Sequence, residues 1–239
     1  MPTESQSISR NLQILDAGLL EYHSAWELQR NTFNNVVNGS LSDTLILLEH
    51  PHTYTLGKTA DRSNLIANKQ YLTENNISVV DIDRGGDITY HGPGQLVGYP
   101  IIDLKKWKMD SHKYLRALEE VLIRFCEEYL LTAERIDGLT GVWINQRKIA
   151  AIGIKISRWV TMHGFALNIY PDLNYFGGII PCGIKDKDVT SLALETGRIE
   201  DMKLVKEKIV NIFSEVFEYN IVSDSEYIIN PEQELKEVN

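Results

Sequence analysis

Apolar residues recur along the chain with two periods, and the switches between them mark out the elements. Residues 16–37 place Leu19, His23, Trp26, Phe33 and Val37 at helical spacing, interrupted by Arg30, with Asp16 as the N-cap and Asn38-Gly39 as the stop. Residues 43–49 form an apolar run of strand length; His50-Pro51-His52 breaks it, and 54–56 resumes pairing before Gly57. A short helix over 64–75 turns at Asn75-Asn76 into a buried strand at 77–82. Another strand spans 96–104, which Gly98 and Pro100 mark as bent or near a sheet edge. The clearest helical period lies at 111–131, where Tyr114, Leu118, Val121, Leu122, Phe125, Cys126 and Tyr129 share one face. Residues 141–145 and 148–159 form a hairpin around Asn145-Gln146-Arg147, and 160–170 is the next strand. A loop at 172–180, one or two helical turns at 189–195 and an amphipathic helix at 201–219 complete the pattern. Strands and helices interleave without the regular alternation of a doubly wound sheet. The pattern predicts a mixed α/β (α+β) fold, with mixed or antiparallel sheets and flanking helices.

Composition narrows the class. A chain of 239 residues can bury a core without staples, and one domain over residues 1–222 is expected. The net charge of −9 argues against general nucleic-acid binding. Much of that charge sits in a tail over 223–239, where Asp224, Glu226, Glu232, Glu234 and Glu237 face only Lys236. Cys126 and Cys182 are too few for a secreted disulfide framework. There is no apolar run of membrane-spanning length, and the first ten residues lack a signal-peptide core. A soluble cytoplasmic protein with no membrane span is the expectation.

The chain is organised around residues 84–95, Arg-Gly-Gly-Asp-Ile-Thr-Tyr-His-Gly-Pro-Gly-Gln, a glycine-rich loop between two apolar strands. Such a loop lets backbone approach a ligand closely. Pro93-Gly94 suits a type II turn, because proline fixes the first central φ and glycine supplies a positive second one. Neither glycine group has the spacing of a P-loop or a dinucleotide fingerprint.

Two later residues offer reactive atoms. Cys182 lies in Pro181-Cys182-Gly183, off any helix face, where a thiol is either structural or a nucleophile at a pocket rim. Lys148 opens the apolar strand Lys-Ile-Ala-Ala-Ile-Gly; it is either a solvated strand end or a proton carrier. No acid lies between Asp137 and Asp172, whereas Arg147, Lys148, Lys155 and Arg158 all do, and a cationic apolar setting favours loss of the lysine proton. The same basic stretch suits docking of an acidic partner. His91 and His163, each followed by glycine, are candidate bases or satisfied pocket histidines. The spacings of His50, His52, His91 and His163 fit no standard zinc set. Cys126, on a helix face, reads as a small buried hydrophobe.

With these residues in view the chain resembles the lipoyl(octanoyl) transferase family. The resemblance rests on four ordered motifs: 84–95, 148–153, His163-Gly-Phe-Ala-Leu-Asn168, and Pro181-Cys182-Gly183 with Val189-Thr190-Ser191-Leu192. The interval from Lys148 to Cys182 also fits, and the likeness covers about residues 12–217. It implies a fold related to biotin and lipoate protein ligases, and no cofactor. It implies transfer of an octanoyl group from octanoyl-acyl carrier protein to a lysine on the lipoyl domains of 2-oxoacid dehydrogenases and the glycine cleavage H protein. By position, Cys182 is then the thioester nucleophile and Lys148 its partner. Arg84, Gly85, Gly86, Asp87, Ile88, Thr89, Tyr90, His91, Ala151, Ile152, Gly153, Gly164, Phe165 and Ala166 would line the substrate site. The apolar wall is expected from Tyr90, Leu96 and Phe165, and the oxyanion donors from backbone amides of the glycine segments. Arg84 either faces the pocket or pairs with Asp81 or Asp83. An ATP-dependent ligase on the same fold and a silent binding module are the competing readings.

Overall fold

A computed structural model describes residues 10–180 and 188–222. Along the chain run β1 (Arg10–Leu19), α1 (Tyr22–Asn38), β2 (Asp43–Glu49), β3 (Thr53–Leu56), α2 (Lys69–Glu74), β4 (Ser78–Asp81), β5 (Ile88–His91) and β6 (Gln95–Ile101). Then come α3 (Ser111–Glu127), β7 (Glu134–Ile136), β8 (Leu139–Ile144), β9 (Arg147–Ser157), β10 (Val160–Asn168), α4 (Leu192–Thr196), α5 (Met202–Phe217) and β11 (Tyr219–Val222). Among the described residues the strands form an eight-stranded sheet, β11-β1-β2-β6-β10-β9-β8-β7, and a three-stranded one, β4-β3-β5. β1 runs parallel to β11 and β2, and the rest of the large sheet is antiparallel. The mixed α+β expectation is met in both sheets. The acidic tail over 223–239 lies outside the described residues.

β2 is apolar at successive positions because both its faces are covered. Leu45 and Leu47 join the core shared with α3 and α5, whereas Ile46 and Leu48 join the one beneath α1. With two apolar faces, burial alone does not fix the strand's register. Its polar start supplies the lock: Asp43 accepts from the Asp103 N–H at 2.9 Å and from the Tyr219 hydroxyl at 2.6 Å.

The first helix starts later than its period suggests. Residues 10–19 are strand, and the N-cap is Glu21, whose carboxylate accepts from the N–H groups of His23 and Ser24. Asp16 does accept a local bond, from Gly18 N–H at 3.0 Å, but at an irregularity in β1 where Gly18 has φ 61°. The stop at Gly39 is as expected, with φ 75°. The predicted 64–75 helix is only Lys69–Glu74, capped by Asn68. The 77–82 strand is an edge strand with three of its four residues exposed, not a buried one.

β6 corrects a second expectation: it is central, between β2 and β10. Pro100 is tolerated there because the β6–β10 ladder ends at Gly98–Phe165. Beyond that point Thr161 takes over, its hydroxyl donating to Pro100 O at 2.6 Å and accepting from Ile102 N–H at 3.0 Å.

The small sheet has its own core of Tyr54, Leu56, Ile77, Ile88, Tyr90 and Ile179. A 3-10 turn over Leu173–Gly178 covers it, with Tyr175 stacked on Tyr90 at 5.4 Å between centroids. The Gly85 N–H donates to Ile154 O at 3.0 Å, which joins the loop after β4 to β9. That junction brings the glycine-rich motif onto the large sheet.

Candidate active site

The motif at 84–95 is not a loop throughout. Its middle is β5, which pairs with β3. Its end is the expected turn: Gly94 has φ 83° and Gln95 N–H donates to Gly92 O at 3.1 Å. Its start carries a buried arginine. Arg84 is 8% exposed and donates from Nη2 to both oxygens of Thr55 at 2.9 Å, and from Nη1 to Gly85 O at 3.1 Å. The aspartates weighed as its partners are engaged elsewhere, Asp81 by Arg62 at 2.6 Å and Asp83 by Lys155 and His163. Glycines make room for it. A Cβ on Gly153 would lie 2.8 Å from Arg84 Cδ, and one on Gly57 2.9 Å from Nη1.

Arg84 borders a cavity of about 520 Å³, a volume suited to a small ligand. Gly85, Gly86, Asp87, Ile88, Thr89 and His91 border it too, with Lys148, Ala151, Ile152 and Gly153 of β9 and Gly164, Phe165 and Ala166 of β10. Three of the four motifs thus meet in one place. Tyr90 does not line the cavity; its ring is buried in the small sheet's core and its hydroxyl bonds to His52 Nδ1 at 2.8 Å. Leu96 faces the core under α3, because alternation along β6 turns Gln95, Val97 and Tyr99 to the cavity instead. The apolar wall is formed by Phe165 with Val97, Leu115, Leu139 and Ile154, among others. Sequence reasoning left Gln95 and Asn168 without a role although both end quoted motifs. Tyr22, at the helix start, gave no signal at all.

The rings of Tyr22, His91, Tyr99 and His163 border the cavity beside Arg84, Asp87 and Lys148, and His50 packs behind them against Tyr22 and His91. Burial pushes His91 well below its ordinary value and His50 down to about 4, and it pushes the Tyr22 hydroxyl up to about 12. His50 donates from Nδ1 to Leu20 O at 2.7 Å and accepts the Tyr99 hydroxyl on Nε2 at 2.7 Å. His163, in a left-handed conformation with φ 57°, donates from Nε2 to Asp83 at 2.8 Å. That bond, with Lys155 at 2.5 Å, holds the Asp83 carboxyl well below the usual carboxylate range. The four histidines weighed as zinc ligands are therefore held by Leu20, Tyr99, Tyr90, Gln95 and Asp83, and no group of three or more ligand side chains converges among the described residues.

Acids from elsewhere in the chain meet the stretch that lacks its own. Arg147 pairs with Glu195 at 2.9 Å, Lys155 pairs with Asp83, and Arg158 lies over the Phe33 ring at 5.5 Å. This weakens the stretch as a docking patch. Two glycine amides are also engaged, Gly85 by Ile154 O and Gly94 by the Glu49 carboxylate at 2.7 Å, so neither is an oxyanion donor.

Lys148 is half-buried, with Nζ 4.6 Å from the centre of the Trp143 ring. Its stem runs beside Gly141, where a Cβ would lie 3.4 Å from Cε. Cys182 lies outside the described residues. The described residues on both sides of it are anchored at this site. Ile180 N–H donates to Asn64 O at 2.8 Å, and the Asn64 side chain donates to the cavity residue Asp87 at 2.6 Å. On the far side, Lys148 N–H donates to Asp188 O and Thr190 N–H to Lys148 O, both at 2.9 Å. Phe176 before the segment and Val189 after it border the cavity.

Residues 21–214 match the family described as the lipoyl protein ligase A/B catalytic domain. The chain belongs to that family. Among its relatives is an octanoyltransferase of Cytophaga hutchinsonii, 45% identical over 235 residues that cover 90% of this chain and 96% of the relative. An octanoyltransferase of Flavobacterium johnsoniae is 47% identical over 232 residues, 90% and 100% of the two chains. Kinship at this level makes the protein an acyltransferase of the octanoyltransferase kind. The fold is that of the lipoate ligases. A lipoate-protein ligase A bound with ATP superposes with a TM-score of 0.67 at 14% identity, covering 96% of this chain and 94% of that one. A bi-partite lipoate protein ligase from Thermoplasma acidophilum gives 0.66 at 16%, covering 96% and 91%. Among the described residues no helix is long and apolar enough to cross a membrane.

Proposed function

We propose that the protein transfers an octanoyl group from octanoyl-acyl carrier protein to a lysine of a lipoyl domain, through a thioester on Cys182. The observation that carries this reading is the position of Lys148: it borders the apolar cavity and its backbone pairs with residues 188–190, just after the segment that bears Cys182. The acceptor domains would be those of 2-oxoacid dehydrogenases and the glycine cleavage H protein, and the cytoplasm the expected compartment.

The chemistry balances without ATP. The donor thioester is already activated. Cys182 sulfur attacks its carbonyl carbon, the bond to the pantetheine sulfur breaks, and the Cys182 proton passes by way of Lys148 to the departing thiol. The acceptor lysine's neutral amine then attacks the enzyme thioester, an amide bond forms, and the C–S bond to Cys182 breaks. Lys148 takes the amine's proton and returns one to the cysteine. Lysine suits this relay because it can lose its proton, which arginine does not. Ile152, Ile154, Phe165 and Leu139 offer the acyl chain an apolar wall.

The test is incubation with octanoyl-acyl carrier protein, then intact-mass and peptide analysis. One octanoyl adduct is expected, on Cys182, discharged by an apo-lipoyl domain. Turnover that needs ATP and leaves no adduct would replace this reading with the ligase reaction.

A further inference from the structure

A buried polar chain, three side chains and then the backbone of Thr190, joins the cavity to the strand that carries Lys148. His91, Gln95, Asn168 and Thr190 are 6%, 2%, 4% and 0% exposed. The direction of each bond follows from the donors. Gln95 Nε2 donates to Asn168 Oδ1 at 2.9 Å and to Tyr90 O at 3.2 Å, so Gln95 Oε1 is an acceptor. That oxygen lies 2.8 Å from His91 Nδ1, which must carry the ring proton. Asn168 Nδ2 in turn donates to Thr190 O at 2.9 Å, and Thr190 N–H donates to Lys148 O at 2.9 Å.

An imidazole protonated on Nδ1 keeps its lone pair on Nε2. His91 borders the cavity, and its Nε2 has no hydrogen-bond partner among the described residues.

We propose that Gln95 and Asn168 are positioning residues that lock His91 in its Nδ1–H tautomer, so that Nε2 stands in the cavity as an acceptor for a substrate N–H group. Burial supports this by keeping the ring neutral, since a protonated ring would offer a donor there instead. The same chain ends on the backbone of Lys148, so it also fixes the lysine's strand relative to the acceptor. The identity of the N–H rests on the acyl-transfer reading above; the tautomer does not. Two groups in that reaction supply an N–H: an amide of the donor's pantetheine arm and the acceptor's lysine amine.

Long-range proton–nitrogen correlation on the 15N-labelled full-length protein reads the tautomer directly. Wild type is expected to show His91 protonated on Nδ1. Gln95→Met should lose that pattern, and Asn168→Leu is a second variant with the same expected loss. Single-turnover kinetics then separate the N–H donors. A roughly tenfold fall in acyl loading, the effect of one lost hydrogen bond, identifies the pantetheine amide. A similar fall confined to discharge of preloaded enzyme identifies the lysine amine. The proposal is overturned if wild-type His91 carries its proton on Nε2, if folded Gln95→Met and Asn168→Leu both keep the wild-type tautomer, or if both half-reactions are unchanged. Failure of wild type to form any adduct, with the tautomer as expected, would count against the acyl-transfer reading instead.

Discussion

The ring of Phe165 occupies the space that a side chain on Gly98 would need: a Cβ there would lie 2.2 Å from Phe165 Cζ. The two residues are register partners on neighbouring strands, so the contact is direct. Phe165 borders the cavity, and Gly98 therefore sets one wall of it from behind. Gly98→Ala should displace the ring, lower stability by about 1–3 kcal/mol as overpacking does, and disfavour octanoyl relative to shorter acyl donors. Competition between two donors, read by the mass of the enzyme adduct, checks this. An unchanged product ratio in a folded variant would detach Phe165 from chain-length choice.

Asp83 sits at the centre of a small charge cluster, with His163 and Lys155 as its partners. Its folded pKa lies below the unfolded value of about 3.9, so the unfolded chain binds more protons in acid. The stability it contributes is complete above the unfolded pKa and is lost as pH falls toward the folded one. Urea unfolding from pH 6 down to pH 2 should show a wild-type advantage over Asp83→Asn that shrinks below about pH 4. A gap that stays constant with pH would assign the effect to packing.

Much of this was legible in the sequence, and the misses have physical causes. Lys148, Arg84 and His91 border one cavity, and the hairpin and turn signals located the strands on or beside which Lys148 and Arg84 lie. β5 was hidden inside the motif because its partner, β3, is distant in sequence and local turn chemistry says nothing of it. Residues 10–15 gave no element, since the next residues share their apolar positions with a helical period and Asp16 imitates an N-cap while bonding Gly18. Pro100 pointed to an edge, yet one threonine hydroxyl from another strand removes that constraint. The pairing of Lys155 with Asp83 could not be read from a stretch that contains no acid, because the acid arrives from the other sheet's loop.

Cys126 tests how selective the proposed acyl adduct is. It is fully buried on α3, and burial pushes its thiol up to about 12, so it holds almost no thiolate at neutral pH. Cys126→Ala should keep both octanoyl loading and discharge, with stability lower by about 1–2 kcal/mol for the lost volume. Iodoacetamide on native wild type should modify Cys182 alone, located by peptide mapping. Labelling of Cys126 without unfolding would contradict its enclosure.

Lys148 can act by charge or by carrying a proton, and one pair of variants separates the two. Its Nζ lies over the Trp143 ring and its stem beside Gly141, so a longer side chain can keep a cation in the same region. Lys148→Arg keeps the charge but does not deprotonate at any working pH. If charge alone lowers the Cys182 pKa, Lys148→Arg should alkylate and turn over like wild type, and only Lys148→Ala should fail. The relay predicts a different split. Thiol alkylation at pH 7 should stay near wild type in Lys148→Arg and slow in Lys148→Ala. Acyl loading and discharge should fall in both, by roughly 10²–10⁴-fold as for loss of a general acid-base group. Half-reactions followed by quench and mass measurement decide it, and near-wild-type discharge by Lys148→Arg would leave this lysine only an electrostatic part.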